Sequence, residues 1–309
     1  MGKSARISLV NLNRIPKLSS NWEKQIVELI GNHIKLSAHL KNDLVAFPEN
    51  CNNSSEKEFE HFEKLDGFII SKIAECARKN NIYVVLPVLT IENGVRYNSS
   101  ILINRRGIIE GIYHKNFPTF EELKHGILPG KIVPVFKTDF GRLGLCICFD
   151  LNFWEVGSAL AKKGAELIIW SSMWPGGRML SRWAIEFGFS VAAVCSKESN
   201  FVDVAGRELK SVQNYLNKEA GFSPIKYSKI NLDQRLLHQD NNIDLLNQLY
   251  KKYGQEAFSI EFIDDECLIV FASNLQNISS DNLMKEFGLK TMQEYLNEVR
   301  LERKKIIKE

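Results

Sequence analysis

The feature that most narrows the fold is an alternation, met twice along the chain, of short apolar runs with segments that are apolar on one helical face. "ARISLVNLN" runs as a strand, and "NWEKQIVELIGNHIKLSAHL" places its apolar residues at helical spacing. "DLVAFPEN" is a second buried strand cut off by Pro48, and "LDGFIISKIAECARKNN" a second amphipathic helix. Strand, helix, strand, helix is the pattern of a layered α/β domain. Three β segments follow, "IYVVLPVLT", "RYNSSILIN" and "GIIEGIYHK", with "ENG" and "RRG" as turns, which predicts hairpins. After Pro134 the alternation resumes: "PVFKTDFGRLGLCIC" predicts two strands, "WEVGSALAKKGA" a helix, "ELIIWSS" a strand, "SRWAIEFGFS" a helix and "VAAVCS" a strand. Two halves on one theme point to two sheets.

Beyond the tight turn Asp203 to Gly206 the pattern weakens until "YSKINLDQRLL". The tail differs in kind, with the charged amphipathic segments "NIDLLNQLYKKYG" and "SDNLMKEFGLKTMQEYLNEVRLERKK" around a short β stretch, "ECLIVFAS". The expectation is one domain over residues 1–309, with a core at about 5–235 and a C-terminal helical extension at about 236–309. The closing basic run reads as a solvated helix end, or as an arm that packs on a partner subunit.

With 309 residues, 44% of them hydrophobic, the chain can bury a large core. Its formal charge of +3 is too small to capture nucleic acid or an anionic membrane, which leaves a small molecule as the expected partner. No window is apolar for the roughly 20 residues a membrane helix needs, and "MGKSARISLVNLN" lacks a signal peptide's apolar core, so the expected location is the cytoplasm. Met1-Gly2 begins like a myristoylation signal, but Arg6 stands where that motif has Ser or Thr. The six cysteines form no CxxC pair and have no spaced histidine companions, so neither structural disulfides nor a zinc site is expected.

Within "GRLGLCICFDLNFWE" Cys148 stands where a strand stops. Strand ends face the mouth of an α/β layer, and turn backbones there present N–H groups to an oxyanion. Cys146, two residues earlier, is expected on the same face but deeper, so Cys148 is the candidate nucleophile and Cys146 packing. A thiol near pKa 8.5 is a few per cent ionised at neutral pH and needs a base or a cation beside it. "FPEN" places Glu49 at one strand end, and "YHKNFPTFEE" places Lys115 at another, followed by Glu121 and Glu122. Three strand ends thus deliver a carboxylate, an ammonium and a sulfur, the set an amide- or nitrile-cleaving thiol requires. His114 precedes Lys115, and alternation sends it to the opposite face, in a structural role.

"AFPEN", "YHKNFPTFEE" and "LCICFD", in this order, resemble the Glu, Lys and Cys motifs of the nitrilase superfamily, the carbon-nitrogen hydrolases. "YNSSILINRRGIIEGIYHK", "LPGKIVPVFKTDFGRLGLCICFD" and "GAELIIWSSMWP" extend the likeness over about residues 5–235. The resemblance implies a four-layer α-β-β-α sandwich that pairs into a homodimer or a larger homo-oligomer. It implies Glu49 as general base, and Lys115 with the backbone N–H of Phe149 as oxyanion partners. Glu122 would be the family's second glutamate, which bonds to the lysine region and orients substrate, in a pattern K-x-x-P-T-x-x-E, with Glu121 as the alternative. The reaction it implies would run through a thioester on Cys148 and call for no metal or organic cofactor.

Substrate class stays open between amide, nitrile and N-carbamoyl compound, with acyl transfer or a silent binding role as further alternatives. Phe149-Asp150 after the cysteine resembles the Cys-Tyr-Asp of amidases, whereas "PTFEE" resembles nitrilases; the cysteine side is nearer the reacting carbon and favours an amide. Trp174 and Pro175, in "SSMWPGG", would give the pocket an apolar wall, unless the tryptophan packs under the turn. Asn152, Phe153 and Trp154 replace the Arg-Phe-Pro common in amidases of this family, which removes the expected reader of an acidic substrate group.

Overall fold

The computed structural model describes residues 3–12, 21–53, 59–214 and 224–307. Met1 and Gly2, the lipidation signal considered above, lie outside them. Strands β1 (Ser4–Val10), β2 (Leu44–Ala46) and β3 (Tyr83–Glu92) run parallel, joined through helices α1 (Trp22–His39) and α2 (Phe68–Asn80). Antiparallel hairpins then add β4 (Val95–Ile103) and β5 (Ile109–His114). A short helix α3 (Phe120–Lys124) leads to a second sheet of β6 (Val135–Lys137) and β7 (Arg142–Ile147), continued through helix α4 (Trp154–Lys162), β8 (Leu167–Ser172), helix α5 (Arg178–Phe187), β9 (Ser190–Cys195) and β10 (Asn200–Val202). In that sheet β7, β8 and β9 are parallel, with β6 and β10 as antiparallel edges. The chain returns to the first sheet as β11 (Val212–Asn214) and β12 (Ile225–Asn231), giving the orders β11-β12-β1-β2-β3-β4-β5 and β10-β9-β8-β7-β6.

Period-two alternation makes four layers of this. In the first sheet Ile7, Leu9, Leu44, Ala46, Val85 and Leu102 point to one side, into a core shared with the second sheet. Their neighbours Val10, Val45, Val84, Leu86, Ile101 and Ile103 point to the other, against Ile26, Ile30, Ile34, Ile69, Ile70 and Ile73 of α1 and α2. Strands buried on both faces read as near-continuous apolar runs, which is why "LVA" and "YVVL" carry no polar face. In the second sheet Gly144 and Ile168 meet Leu160 of α4, and the ring of Trp170 lies near Leu180 of α5. The result is the expected α-β-β-α sandwich, with β1 against β9 and β4 against β7 at its middle.

The segment expected as a helical extension carries a third sheet as well. β13 (Arg235–His238), helix α6 (Ile243–Tyr253), β14 (Phe258–Ile263), β15 (Leu268–Ser273) and helices α7 (Ser280–Phe287) and α8 (Met292–Ile307) form a unit with sheet order β13-β15-β14. It has its own apolar core, built on Leu237, Leu249, Ile269, Phe271 and Leu283. Strand β14, "FSIEFI", alternates apolar and polar residues but is flanked by charge, and its strand character shows only once β15 is there to pair it. The unit joins the sandwich through Leu236, Leu268 and Val270 against Val204 and Ala205. Buried Glu166 reinforces the joint by receiving Lys3 Nζ (2.6 Å), the Arg142 backbone N–H (2.8 Å) and Arg235. Helix α8 fully buries none of its side chains, though Met292 packs against the Val204 and Ala205 cluster and Tyr295 stacks on His238.

Candidate active site

Ligands of open α/β sheets gather beyond the carboxyl ends of the parallel strands, and each sheet contributes such an end here. Past β2 the chain turns at Pro48-Glu49, held to β3 by Phe47 N–H to Val85 O (3.2 Å) and Cys51 N–H to Pro87 O (3.0 Å). Lys115 follows the last residue of β5, and its N–H bonds Asn98 O on β4 at 2.8 Å, so the hairpin register sets Asn98 and Lys115 side by side. Helix α3 opens with a reciprocal cap: Thr119 Oγ1 accepts the Glu122 N–H (3.3 Å), and Glu122 Oε2 accepts the Thr119 N–H (2.7 Å).

These elements bring four side chains together. Lys115 Nζ lies 2.8 Å from Glu49 Oε1 and 2.8 Å from Glu122 Oε2, with all three side chains buried. Asn98 Nδ2 donates to both carboxylates, at 2.9 Å to Glu49 and 2.6 Å to Glu122. Burial alone would lower the Lys115 pKa, but the charges of Glu49 and Glu122 outweigh it and hold the ammonium well above its ordinary value. Burial likewise would raise Glu122, and Lys115, Asn98 and the Thr119 N–H bring it below the usual carboxylate range. The group is a compact trio in which Lys115 bridges the two carboxyl groups. Glu121 stands away from it, exposed and paired with Lys124.

Cys148 departs from the expected strand geometry. Strand β7 ends at Ile147, and Cys148 opens a short 3-10 turn, Cys148–Asn152, with φ of 43°. A non-glycine residue in the left-handed region costs on the order of 1–3 kcal/mol and persists only where its surroundings over-determine it. The strand's period of two therefore stops short of this residue and does not relate its side chain to that of Cys146. Burial and the Glu49 charge push the Cys148 thiol up to about 12, while Lys115 and hydrogen bonds to the Ser172 side chain and the Met173 backbone favour its thiolate. Cys146 is fully buried, and burial with the nearby Asp150 charge pushes its thiol well above the ordinary value.

The turn is anchored by Asp150, which is wholly buried. Its Oδ2 accepts the Tyr113 hydroxyl (2.7 Å) and the Ile147 N–H (3.0 Å), and its Oδ1 accepts the Phe117 N–H (2.9 Å) from the loop between Lys115 and Glu122. Burial pushes this carboxyl up to about 7, against those hydrogen bonds and the Lys115 charge. Trp170 Nε1 donates to the Cys148 carbonyl at 3.0 Å. Phe149 is exposed and edge-on to Phe153, which stacks on Phe117 at 3.7 Å between ring centroids.

Trp174 stands 66% exposed with Lys197 Nζ 5.7 Å from its ring centre, and Pro175 is half-buried. The tryptophan packed beneath the turn is Trp170, whose ring lies where a Cβ on Gly176 would come within 2.8 Å. His114 faces away, bonded to Ser99 Oγ at 2.9 Å and stacked on Tyr97 at 4.2 Å. Asn98, Trp170 and the Tyr113–Asp150 pair have no place in the sequence-based set; the register of β4 on β5 is the signal that finds Asn98.

Among the described residues, Glu23, His61 and Glu63 place donor atoms within 4.8 Å of one another in a way that could hold a metal ion. His61 Nε2 and Glu63 Oε2 bond each other at 2.9 Å, and Glu63 Oε1 takes the Ile69 N–H, so the pair fastens the start of α2. None of the three belongs to the Glu49, Lys115 and Cys148 group.

The carbon-nitrogen hydrolase family model matches residues 6–198. A probable nitrilase of Schizosaccharomyces pombe is 30% identical over 149 residues, covering 46% of this chain and 54% of the relative. The human omega-amidase is 31% identical over 140 residues, covering 41% of this chain and 50% of the relative. The chain thus spans about half the length of the curated relatives it matches. Among solved structures, Saccharomyces cerevisiae Nit3 of the nitrilase superfamily superposes with a TM-score of 0.62 at 19% identity, over 81% of this chain and 94% of that one. An amidase from Nesterenkonia sp. gives a TM-score of 0.63 at 20% identity, over 81% and 97%. With a family model matched across all three strand ends that carry Glu49, Lys115 and Cys148, this chain belongs to the carbon-nitrogen hydrolase family, in the nitrilase superfamily.

Proposed function

We propose that the protein hydrolyses a small amide through a thioester on Cys148, with Glu49 as general base and Lys115 as electrostatic partner. The observation that carries this reading is the buried trio itself: Lys115 Nζ is 2.8 Å from both Glu49 and Glu122, and the Cys148 thiol feels the charges of Glu49 and Lys115. A thiol held near 12 is neutral at rest, so its proton must leave during attack, and Glu49 is the carboxylate beside it. Sulfur bonds to the carbonyl carbon as Glu49 takes that proton; the oxyanion develops against Lys115 Nζ and the Phe149 N–H. Collapse breaks the C–N bond, and the proton on Glu49 leaves with ammonia or an amine. Water then enters, gives a proton to Glu49 and its oxygen to the acyl carbon. The acid departs, and the same proton restores the thiol.

Glu122 and Asn98 act on Lys115 and Glu49 rather than on substrate. Both carboxylates are held by one ammonium and one amide, so Glu49 changes protonation without moving. The exposed Phe149 and Trp174 and the half-buried Pro175 support an apolar wall, and Asn152 supplies no cation for an acidic acyl group. The amide assignment rests on Phe149-Asp150; relatives are named both for amidase and for nitrilase activity. A mutant of the Nesterenkonia amidase shows Michael addition of acrylamide at its active-site cysteine, which supports a nucleophilic sulfur in this fold but is a different reaction from the carbonyl attack proposed for Cys148. Exposed Val299, Leu301 and Ile306 on α8 favour assembly through that helix into a homodimer or larger homo-oligomer. No described helix is long and apolar enough to cross a membrane, and residence in the cytoplasm belongs to the same proposal.

The test is turnover of primary amides, nitriles and N-carbamoyl compounds, read as ammonia and acid release, in wild type, Cys148→Ala and Cys146→Ala. Activity on an amide that disappears in Cys148→Ala and persists in Cys146→Ala is expected. Persistence in Cys148→Ala, or reaction with none of the compounds, sinks the reading.

A further inference from the structure

Cys148 holds a backbone conformation that an L residue rarely adopts, and it is flanked by hydrogen bonds from Trp170 of β8 and to Asp150 of the same turn. We propose that Trp170 and Asp150 are positioning residues, and that Trp170 in particular aims the Phe149 N–H at the substrate oxygen through the peptide bond between Cys148 and Phe149. The inference rests on the reading of Cys148 as nucleophile.

In a planar trans peptide the C=O of one residue and the N–H of the next point in opposite directions. Whatever fixes the Cys148 carbonyl therefore fixes the Phe149 N–H. The Trp170 indole, 2% exposed and brought by β8, donates to that carbonyl at 3.0 Å. Gly176, at φ of 78°, packs close against one side of its ring, where an added Cβ would come within 2.8 Å. With φ of 43° at Cys148, the alternative is rotation of this peptide toward ordinary backbone angles, which turns the N–H away from the substrate oxygen. Asp150 secures the preceding residue by accepting the Ile147 N–H, and ties the turn to the lysine loop through Phe117.

Two measurements separate aiming from general loosening. Hydrolysis passes through an oxyanion, whereas alkylation of Cys148 by iodoacetamide needs an accessible thiolate and develops no oxyanion, so the two are compared at one fixed pH. Trp170→Phe keeps an aromatic ring and removes the N–H. We expect kcat on an amide substrate to fall about 100-fold, the loss typical of one oxyanion donor, with KM within about twofold and Cys148 alkylation slowed less than about threefold. Asp150→Asn, which also frees the turn from the lysine loop, slows both. Gly176→Ala disturbs the same indole from its other side and serves if Trp170→Phe does not fold, as judged by circular dichroism and melting.

A folded Trp170→Phe with wild-type kcat overturns the proposal, and so does one whose alkylation falls in step with kcat. Cys148→Ala, assayed in parallel, distinguishes the two levels. Turnover surviving in Cys148→Ala refutes the nucleophile and the positioning role together; turnover lost there but unchanged in Trp170→Phe refutes the positioning role alone.

Discussion

Replacing Asn98 with Asp changes one atom of the buried trio's surroundings and should make folding stability depend on pH. The Asn98 amide donates to Glu49 at 2.9 Å and to Glu122 at 2.6 Å, in a site whose one cation, Lys115, already serves both. An oxygen in place of Nδ2 sets a third acid against two carboxylates, and only a protonated hydroxyl restores a donor there. The new carboxyl therefore keeps its proton in the folded state, whereas in the unfolded chain it ionises near pKa 3.9. A folded pKa above the unfolded one means that the native state binds more protons, so stability is full below about pH 4 and falls as pH rises toward the folded pKa. Each factor of ten in proton affinity between the two states is worth about 1.4 kcal/mol, so a hold on the proton tightened about 1,000-fold by folding removes about 4 kcal/mol at pH 7 relative to wild type. Urea melts of wild type and Asn98→Asp at half-unit steps from pH 4 to pH 8 give the difference directly. Curves that stay parallel over this range would falsify the assignment of Asn98 as the shared donor.

Further outcomes follow from other parts of the structure. Because the Cys148 thiol is pushed up to about 12, its alkylation by iodoacetamide, mapped by peptide mass, should climb with pH beyond 9; a plateau near 8.5 contradicts the burial argument. Gly176→Ala puts a Cβ at φ of 78° within 2.8 Å of the Trp170 ring and should lower stability by about 1–3 kcal/mol in denaturant melts; an unchanged midpoint shows that the loop shifts freely. Glu166→Ala leaves Arg235, and part of the charge of Arg142 and Lys3, without its buried partner, and should cost about 3–5 kcal/mol with faster hydrogen exchange in β13 and α7. Leu249→Ala, in the core of the C-terminal unit, should cost about 2–5 kcal/mol; a loss under 1 kcal/mol would show that this core does not contribute to the cooperative fold.

Much of the sandwich is legible in the sequence because period and burial coincide there. "LVA" and "LIIWSS" are buried at every residue, and such strands are covered on both faces. Glu122 is legible twice over, since the cap that starts α3 and the bond to Lys115 use the same carboxylate. What strand logic misses is a residue that leaves the strand. Cys148 follows six extended residues, and nothing in its neighbours' types announces a left-handed backbone; the hydrogen bonds that enforce it come from Trp170 and Asp150, one of them far along the chain. Asn98 is hidden differently, because its importance depends on which β4 residue faces Lys115, a question of register. The third sheet is obscured by charge: β14 buries only Phe258 fully and exposes half of its residues, so its alternation resembles that of an exposed amphipathic segment.

A covalent bond between substrate and Cys148 is the step on which the thioester chemistry depends. Wild type and Cys148→Ala, mixed with an amide substrate and acid-quenched within the first turnover, can be weighed intact and then digested. The expected result is a mass increase equal to the acyl group, located on the peptide that carries Cys148, released at neutral pH as the free acid and absent from Cys148→Ala. An acyl group on any other residue, or turnover of the amide with no acyl-enzyme formed by wild type, contradicts the thioester.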